Sequence, residues 1–206
     1  YRPGQREMAV RVYHAIRSKK NIVIQAPTGI GKTMSALFSG IKAIGEGKTE
    51  KIYYLSARNT GHLQVENMLK KLGKSGFDYT YVRLSARERL CPKTEQDCIP
   101  DNCQYANGYY DRLLPALNDT FKNYLSEPDY WKSAIEKHKV CPHPFLLELS
   151  TWVDCVICDY NYMFDPLVNL NDFTEKNRPE YTVLLDEAHN LPARSHEMFS
   201  ARIKKQ

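Results

Sequence analysis

The sequence predicts an α/β domain that a long insertion interrupts. Over residues 1–84, apolar runs typical of buried strands alternate with helical patterns. The alternation stops at Ser85 and resumes at residue 151, where two more strand patterns follow. A chain of 206 residues can hold one α/β domain with a sizeable insertion. We therefore assign residues 1–84 and 151–206 to the domain and residues 85–150 to the insertion.

A glycine-rich loop follows the first predicted strand. Residues 1–20 predict a helix entered through Pro3-Gly4, and the β-branched run at residues 22–24 predicts a short buried strand. The chain then reads APTGIGKT and enters a helical pattern. Glycines allow the backbone to wrap a phosphate closely, and N–H groups at a helix N-terminus point at the anion. The residues predicted to hold nucleotide are Ala26, Pro27, Thr28, Gly29, Ile30, Gly31, Lys32 and Thr33.

Three side chains around this loop have predicted roles in nucleotide binding. The Lys32 ammonium would contact the β- and γ-phosphates of ATP, and the Thr33 hydroxyl would ligate Mg²⁺. Gln5 precedes the loop and is a candidate for recognition of the adenine edge. An ordinary exposed helix residue would look the same in the sequence, so both interpretations of Gln5 stay open.

The next βα unit carries polar side chains where its strand ends. The patterns predict a helix over residues 34–45, a strand over 51–56, a helix over 61–72 and a strand over 79–84. Ser56, Arg58 and Thr60 are candidates for contacts with the phosphates of a nucleic-acid strand, which position the strand without reading its bases. An ordinary solvated loop is the alternative.

Two adjacent carboxylates follow the last predicted strand. Apolar runs predict strands at residues 154–159 and 181–185, and the second leads into the tetrapeptide DEAH. Downstream of a phosphate loop, this arrangement is typical of the second half of an ATPase site. Asp186 would hold Mg²⁺ through water, Glu187 would orient and deprotonate the attacking water, and His189 would sense the γ-phosphate.

The insertion contains most of the cysteines. Helices are predicted at residues 107–117 and 128–137, and prolines near the cysteines favour turns that bring thiols together. The cysteines concerned are Cys91, Cys98, Cys103 and Cys141. Four thiolates suit a 4Fe–4S cluster or a structural zinc, and the lack of paired CxxC knuckles favours iron–sulfur. Unconnected thiols are a third alternative. Cys155 and Cys158 form a CxxC inside a strand pattern, which predicts buried structural cysteines.

Composition limits the classes of function. The net charge of +5 permits a polyanionic partner without requiring one. No apolar stretch is long enough to span a membrane, and no signal peptide is recognisable. Cysteines beside a nucleotide loop indicate a reducing compartment. The start at Tyr1 and the helical pattern that runs to Gln206 predict an excised piece of a longer protein.

Taken together, these motifs resemble the XPD/DinG family of iron–sulfur superfamily 2 DNA helicases over essentially the whole chain. The shared stretches read QAPTGIGKT, YLSARNT, SARERLC, VICDYNYMFDP and LLDEAHN. The resemblance implies a RecA-like motor domain with a mostly helical 4Fe–4S insertion, whose ligands are the cysteines of residues 85–150. It also implies that Arg87 lies near the cluster and the DNA path, and that Cys155 and Cys158 match no ligand position.

The same resemblance implies a function. It implies ATP- and Mg²⁺-driven 5′-to-3′ translocation on single-stranded DNA in DNA repair, by a monomer in the cytoplasm or in a eukaryotic nucleus. In the family an arch domain and a second motor domain follow the DEAH box, so this stretch alone is expected to bind nucleotide weakly and not to unwind DNA. The alternative is a nucleic-acid-binding module with a regulatory nucleotide site and a structural zinc.

Overall fold

The computed structural model describes residues 2–57, 59–93, 98–124, 129–168, 170 and 180–200. The chain forms two compact units, of which unit 1 comprises residues 1–69 and 157–206 and unit 2 comprises residues 70–156. Both boundaries fall inside regular secondary structure. The division into domain and insertion expected at residues 85 and 150 stays a prediction.

Most predicted elements are present, with ends shifted by a few residues. In chain order they are α1 (Gln5–Arg17), α2 (Lys32–Gly45), β1 (Lys51–Leu55), α3 (Asn59–Gly73), β2 (Tyr81–Arg83), α4 (Arg87–Leu90), α5 (Tyr109–Asn123), α6 (Trp131–His138), α7 (Pro142–Trp152), β3 (Cys155–Cys158), α8 (Asn161–Phe164), β4 (Tyr181–Leu185) and α9 (Leu191–Met198). Short 3₁₀ turns lie at Pro100–Asn102 and Ala188–Asn190. The helix expected at the end of the chain falls on residues 201–206, outside the described residues. The described helices are all too short or too polar to cross a membrane.

Unit 1 is built on parallel strands. β1 pairs in parallel with β4, with Leu55 opposite Leu185, and every residue of β1 is buried. The Ser56 N–H donates to the Cys158 carbonyl at 3.1 Å, which places the end of β3 next to the end of β1. Parallel strands present their carboxyl ends at one edge, where α/β folds bind their ligands. The polar residues that follow β1, β3 and β4 therefore lie near one another.

Helices α1 and α2 pack against each other within unit 1. The buried Ser39 hydroxyl of α2 donates to the Ala9 carbonyl of α1 at 2.7 Å and to the Ser35 carbonyl of its own helix at 2.8 Å. Small side chains at this contact allow the two helix backbones to lie close together. The contact holds the start of α1, with Gln5, beside the start of α2, with Lys32.

Unit 2 is mainly helical. Among the described residues of the predicted insertion, residues 85–93, 98–124 and 129–150 form helices and turns without a strand. The Tyr124 hydroxyl donates to the Tyr81 carbonyl at 2.5 Å and accepts from the Tyr81 N–H at 2.6 Å, so the end of α5 is held against β2. The Cys155 N–H donates to the Thr80 carbonyl at 3.0 Å, beside β2.

The buried strand predicted at residues 22–24 is wrong. Residues 21–27 have no regular secondary structure, and the Val23 side chain is 95% exposed. A β-branched run favours extended backbone, but a strand also needs a partner that completes its hydrogen-bond ladder. Within the described residues β1 pairs with β4, and residues 21–27 join no ladder. The phosphate loop nevertheless leads into a helix as predicted, since α2 begins at Lys32.

Candidate nucleotide site and cysteine cavity

The glycines of the phosphate loop have the backbone conformation that the loop requires. Gly29 has φ +84° and Gly31 has φ +89°, both in the left-handed region that side chains disfavour. A Cβ on Gly31 would overlap Nε2 of Gln5, whereas a Cβ on Gly29 would meet nothing within 4 Å. Gly31 therefore permits both the turn and the close approach of Gln5.

Lys32 lies over the mouth of its own loop. Its Nζ donates to the carbonyls of Ala26 and Pro27, each at 3.1 Å. The side chain is half-buried at the N-terminus of α2, where the helix dipole favours an anion. A phosphate entering the loop would replace two neutral carbonyls as the partner of this cation, which strengthens the interaction.

Gln5 borders a cavity between the starts of α1 and α2. The cavity has a volume of about 250 Å³ and is lined by Gln5, Ala9, Met34, Ser35 and Phe38. The Gln5 Oε1 accepts the Arg2 N–H at 3.0 Å. Mostly apolar walls with an amide at the rim suit a flat heterocycle, and recognition of the adenine edge by Gln5 stays a prediction.

The carboxylates and the phosphate loop meet through a buried tyrosine. The Tyr54 hydroxyl, at the end of β1, donates to Oδ2 of Asp186 at 2.8 Å. The Thr33 side chain, at the start of α2, acts on the same hydroxyl and lowers its pKa. Burial raises the pKa of Tyr54 far above its usual range, so the hydroxyl remains a donor. The two predicted Mg²⁺ ligands, Thr33 and Asp186, thus both act on the Tyr54 hydroxyl.

Glu187 has an unusual backbone. Its φ of 52° and ψ of 44° lie in the left-handed region, and its side chain is exposed. The hydroxyl of Tyr160, which follows β3, donates to the Asp186 carbonyl and lies 3.2 Å from the Glu187 carbonyl. His189 is exposed on the 3₁₀ turn that follows. Sequence reasoning assigned no role to Tyr54 or Tyr160. The available signals were a tyrosine at the end of an apolar strand for Tyr54 and a place in the shared stretch VICDYNYMFDP for Tyr160.

The four cysteines of the insertion line one cavity within unit 2. Its volume is about 390 Å³, and Arg87, Tyr109 and His143 also face it. The cysteine side chains differ in burial: Cys103 is buried, Cys91 and Cys141 are half-buried and Cys98 is exposed. Within the described part of the chain, no group of three His, Cys, Asp or Glu residues is placed to hold a metal ion. The cysteines therefore share a cavity without forming a ligand set.

Two cationic residues, Arg87 and Lys93, line the cavity beside these thiols, and Arg87 affects the neighbouring pKa values. Burial raises the pKa of Cys141, while the backbone of His143 and the Arg87 charge oppose that rise. Burial and the Arg87 charge lower the pKa of His143, which keeps the imidazole neutral. The Arg87 charge therefore favours the ionised form of Cys141, the form that binds metal, but burial outweighs it.

Cys155 and Cys158 lie in β3, as predicted. Both are almost completely buried, at 1% and 0% exposure. Residues three apart on a strand point to opposite faces, so these two thiols face away from each other. Their geometry agrees with a structural role and not with a shared metal ion.

The residues predicted to contact DNA are only partly described. Ser56 is buried, its carbonyl contacts Nε2 of His62 at 2.9 Å, and its hydroxyl lies beside Gly61. Arg58 lies outside the described residues, and of Thr60 only the backbone, at the start of α3, is described. Arg87 is exposed at the cavity of unit 2. The DNA contacts therefore stay predictions.

Comparison with known proteins relates this arrangement to helicases. The DEAD_2 family model matches residues 60–206, and the model of the type III restriction enzyme res subunit matches residues 1–102. The chain is 24% identical over 226 aligned residues to a regulator of telomere elongation helicase 1 homolog from Arabidopsis thaliana, covering 88% of this chain and 21% of the relative. It is 23% identical to the Arabidopsis thaliana general transcription and DNA repair factor IIH helicase subunit XPD, covering 98% of this chain and 31% of the relative. It is 27% identical to a Fanconi anemia group J protein homolog from Gallus gallus, covering 73% of this chain and 13% of the relative.

Solved structures show the same fold. A chain described as XPD helicase superimposes with a TM-score of 0.61 at 21% identity, covering 96% of this chain and 34% of that one. A chain described as truncated XPD gives a TM-score of 0.55 at 22% identity, covering 89% of this chain and 52% of that one. The chain thus spans a third or less of the length of the curated relatives named above.

Proposed function

Because the chain belongs to the DEAD_2 family, we propose that it forms the amino-terminal part of the motor of an XPD-type, ATP-dependent DNA helicase. The observation that carries this proposal is the Tyr54 hydroxyl, which donates to Asp186 of the DEAH box and whose pKa is also influenced by Thr33 of the phosphate loop. Two motifs far apart in sequence are thereby brought to one point, as a Mg²⁺–ATP site requires. The relatives' names, which include helicase and DNA repair, support the same proposal.

In this proposal each side chain of the site has one role. The loop glycines admit the triphosphate, and Lys32 leaves the two loop carbonyls to neutralise its β- and γ-phosphates. Oxygen donors such as Thr33 and Asp186 suit Mg²⁺, which would neutralise charge on the phosphates. Glu187 orients and deprotonates the attacking water, and His189 reports the state of the γ-phosphate. Gln5 recognises the adenine edge from the cavity beside α1 and α2.

The nucleic-acid partner in this proposal is single-stranded DNA. Contacts from Ser56, Arg58 and Thr60 would hold its phosphates at the end of β1, and Arg87 would contact it near the cysteine cavity. The direction of movement, 5′ to 3′, and a monomeric state belong to the proposal as well. The net charge of +5 is compatible with a polyanionic partner.

We also propose that the cysteine cavity holds a 4Fe–4S cluster. The fit rests on the donor set, since Cys91, Cys98, Cys103 and Cys141 line one cavity of about 390 Å³ beside the Arg87 guanidinium. Four thiolates are the ligands that such clusters take. When bound, the cluster would cross-link the turns between α4, α5 and α7, and metal bonds of this kind contribute folding free energy directly. A structural zinc is the alternative occupant, distinguished by the iron and sulfide content of anaerobically purified protein.

The test of the motor function uses the full-length protein. Lys32→Ala is expected to lower DNA-stimulated ATP hydrolysis by about 10²–10³-fold, because its ammonium lies on the loop carbonyls of Ala26 and Pro27, at the N-terminus of α2. The other described cation at the loop, Arg2, donates to the Gly29 carbonyl instead. Lys48→Ala, which removes an exposed lysine after α2, is the matched control and should hydrolyse ATP at the wild-type rate. Wild-type turnover in Lys32→Ala would refute the assignment. Nucleotide binding without hydrolysis or strand separation in the wild-type protein would favour the regulatory module instead.

A further inference from the structure

The backbone of Glu187 is held in a conformation that its side chain disfavours. Its φ of 52° places it in the left-handed region, where residues with a Cβ are uncommon. Glu187 immediately follows β4, and its carboxylate is the proposed base. Unfavourable backbone conformations persist where surrounding contacts impose them, and they cluster at functional sites. The contacts around Glu187 therefore determine how its backbone is held in the left-handed conformation.

Tyr160 supplies such a contact. Its side chain is fully buried, and its hydroxyl donates to the Asp186 carbonyl and lies 3.2 Å from the Glu187 carbonyl. These two carbonyls flank the left-handed residue. Burial, with the neighbouring Asp186 and Glu187 charges, raises the pKa of Tyr160 to about 12, so the hydroxyl remains a donor at neutral pH.

The residue before Tyr160 is itself anchored. The Asp159 carboxylate accepts the Asn161 N–H at 3.0 Å and both of its oxygens contact Arg194 Nη2, at 3.0 and 3.1 Å. Arg194 lies on α9, five residues after the DEAH box ends at His189. The segment that carries Tyr160 is thus tied to the segment that follows Glu187. Both ends of the 3₁₀ turn are held by contacts from the end of β3.

We propose that Tyr160 is a positioning residue that fixes the Asp186–Glu187 backbone in its left-handed turn and thereby aims the Glu187 carboxylate. This inference rests on the proposed ATP hydrolysis. Asp186 is oriented separately by the Tyr54 hydroxyl, so Tyr160 acts on Glu187 rather than on Mg²⁺ binding. Nucleotide binding depends on the phosphate loop and does not need this constraint.

The test replaces Tyr160 by phenylalanine in the full-length protein. Tyr160→Phe should lower kcat for DNA-stimulated ATP hydrolysis by about tenfold, the range expected for one hydrogen bond made in the transition state. KM for ATP and the Kd for nucleotide should stay within about twofold. In a Glu187→Gln background the same substitution should cause no further loss of the residual rate, because the carboxylate that it aims is already gone.

Tyr124→Phe is the matched control. Tyr124 is also buried, and its hydroxyl also bridges backbone groups, the N–H and carbonyl of Tyr81. It should lower thermal stability by a similar amount and leave kcat unchanged. If Tyr160→Phe is too unstable to purify, Arg194→Gln, which loosens the Asp159 anchor, should lower kcat by about two- to fivefold at constant KM.

Three results would overturn the proposal. The first is an unchanged kcat in a folded Tyr160→Phe protein. The second is an equal loss in Tyr124→Phe, which would indicate general destabilisation. The third is an additive loss in the Glu187→Gln background. Absence of ATP hydrolysis in the wild-type protein would refute the proposed function together with this inference, whereas the other outcomes leave the proposed function standing.

Discussion

A Cβ added at Gly31 is expected to alter the choice of nucleotide base, whereas one added at Gly29 is not. Both glycines have φ near +85°, at +89° and +84°, so alanine brings the same backbone strain to each. Only at Gly31 does the new Cβ overlap the amide of Gln5. The pair therefore separates the effect of loop conformation from the effect of Gln5.

The expected magnitudes follow from these two contributions. Left-handed backbone costs a residue with a Cβ about 1–2 kcal/mol. If the loop relaxes to avoid that cost, the binding-competent conformation becomes about 5- to 30-fold rarer, and affinity for every nucleotide falls by the same factor in both variants. Displacing Gln5 removes one base-edge hydrogen bond, worth about 0.5–1.5 kcal/mol. That loss applies to ATP alone, so the ratio of GTP to ATP dissociation constants should fall by roughly 2- to 13-fold in Gly31→Ala.

The assay is equilibrium titration of the full-length protein with fluorescent ATP and GTP analogues. Gly29→Ala should weaken both equally, and Gln5→Ala should lower the selectivity for ATP without weakening GTP. Gly31→Ala should show both changes, and adding Gln5→Ala to it should not lower the selectivity further. Equal selectivity in Gly31→Ala and Gly29→Ala would refute the assignment of Gln5 to the base.

Two further predictions concern hydrolysis and the cysteines. Glu187→Gln should keep nucleotide affinity and lose turnover, because Asp186 still holds Mg²⁺, and an equal loss of both would show that Glu187 is structural. Serine substitutions in the cavity should each remove or degrade iron and sulfide while nucleotide binding survives, since unit 1 has its own core. Alanine at Cys155 or Cys158 should leave iron unchanged at a cost of about 1 kcal/mol each, and loss of iron there would contradict the ligand set. The cavity variants are Cys91→Ser, Cys98→Ser, Cys103→Ser and Cys141→Ser.

Much of the fold follows from local patterns. The run at residues 181–185 predicts β4 with the bounds that the structure has, and α2 begins at Lys32, where the glycine loop ends. The run at residues 22–24 predicts a buried strand and is wrong, because pairing depends on a partner strand and not on the run itself. Strand propensity depends on one segment alone, whereas a β-ladder forms only where two segments pair.

The candidate site divides in the same way. The glycines, Lys32 and the DEAH box are recognisable from sequence because their chemistry is contained in contiguous residues. The cysteines of the insertion are recognisable as a set, yet their spacing leaves open whether they meet. The structure shows that they line one cavity, and that Cys155 and Cys158 lie apart from it in β3.

The sequence by itself therefore determined the family, the phosphate loop, the DEAH box and most of the helices and strands, because each depends on neighbouring residues. Only the tertiary structure decided which buried hydroxyls serve the site. Tyr54 and Asp186 are 132 positions apart, and Tyr160 lies 26 positions before the Asp186 carbonyl that it contacts. Parallel strands bring these residues together at one edge of the sheet. The hydrophobic pattern along the chain does not show which distant residues will meet there.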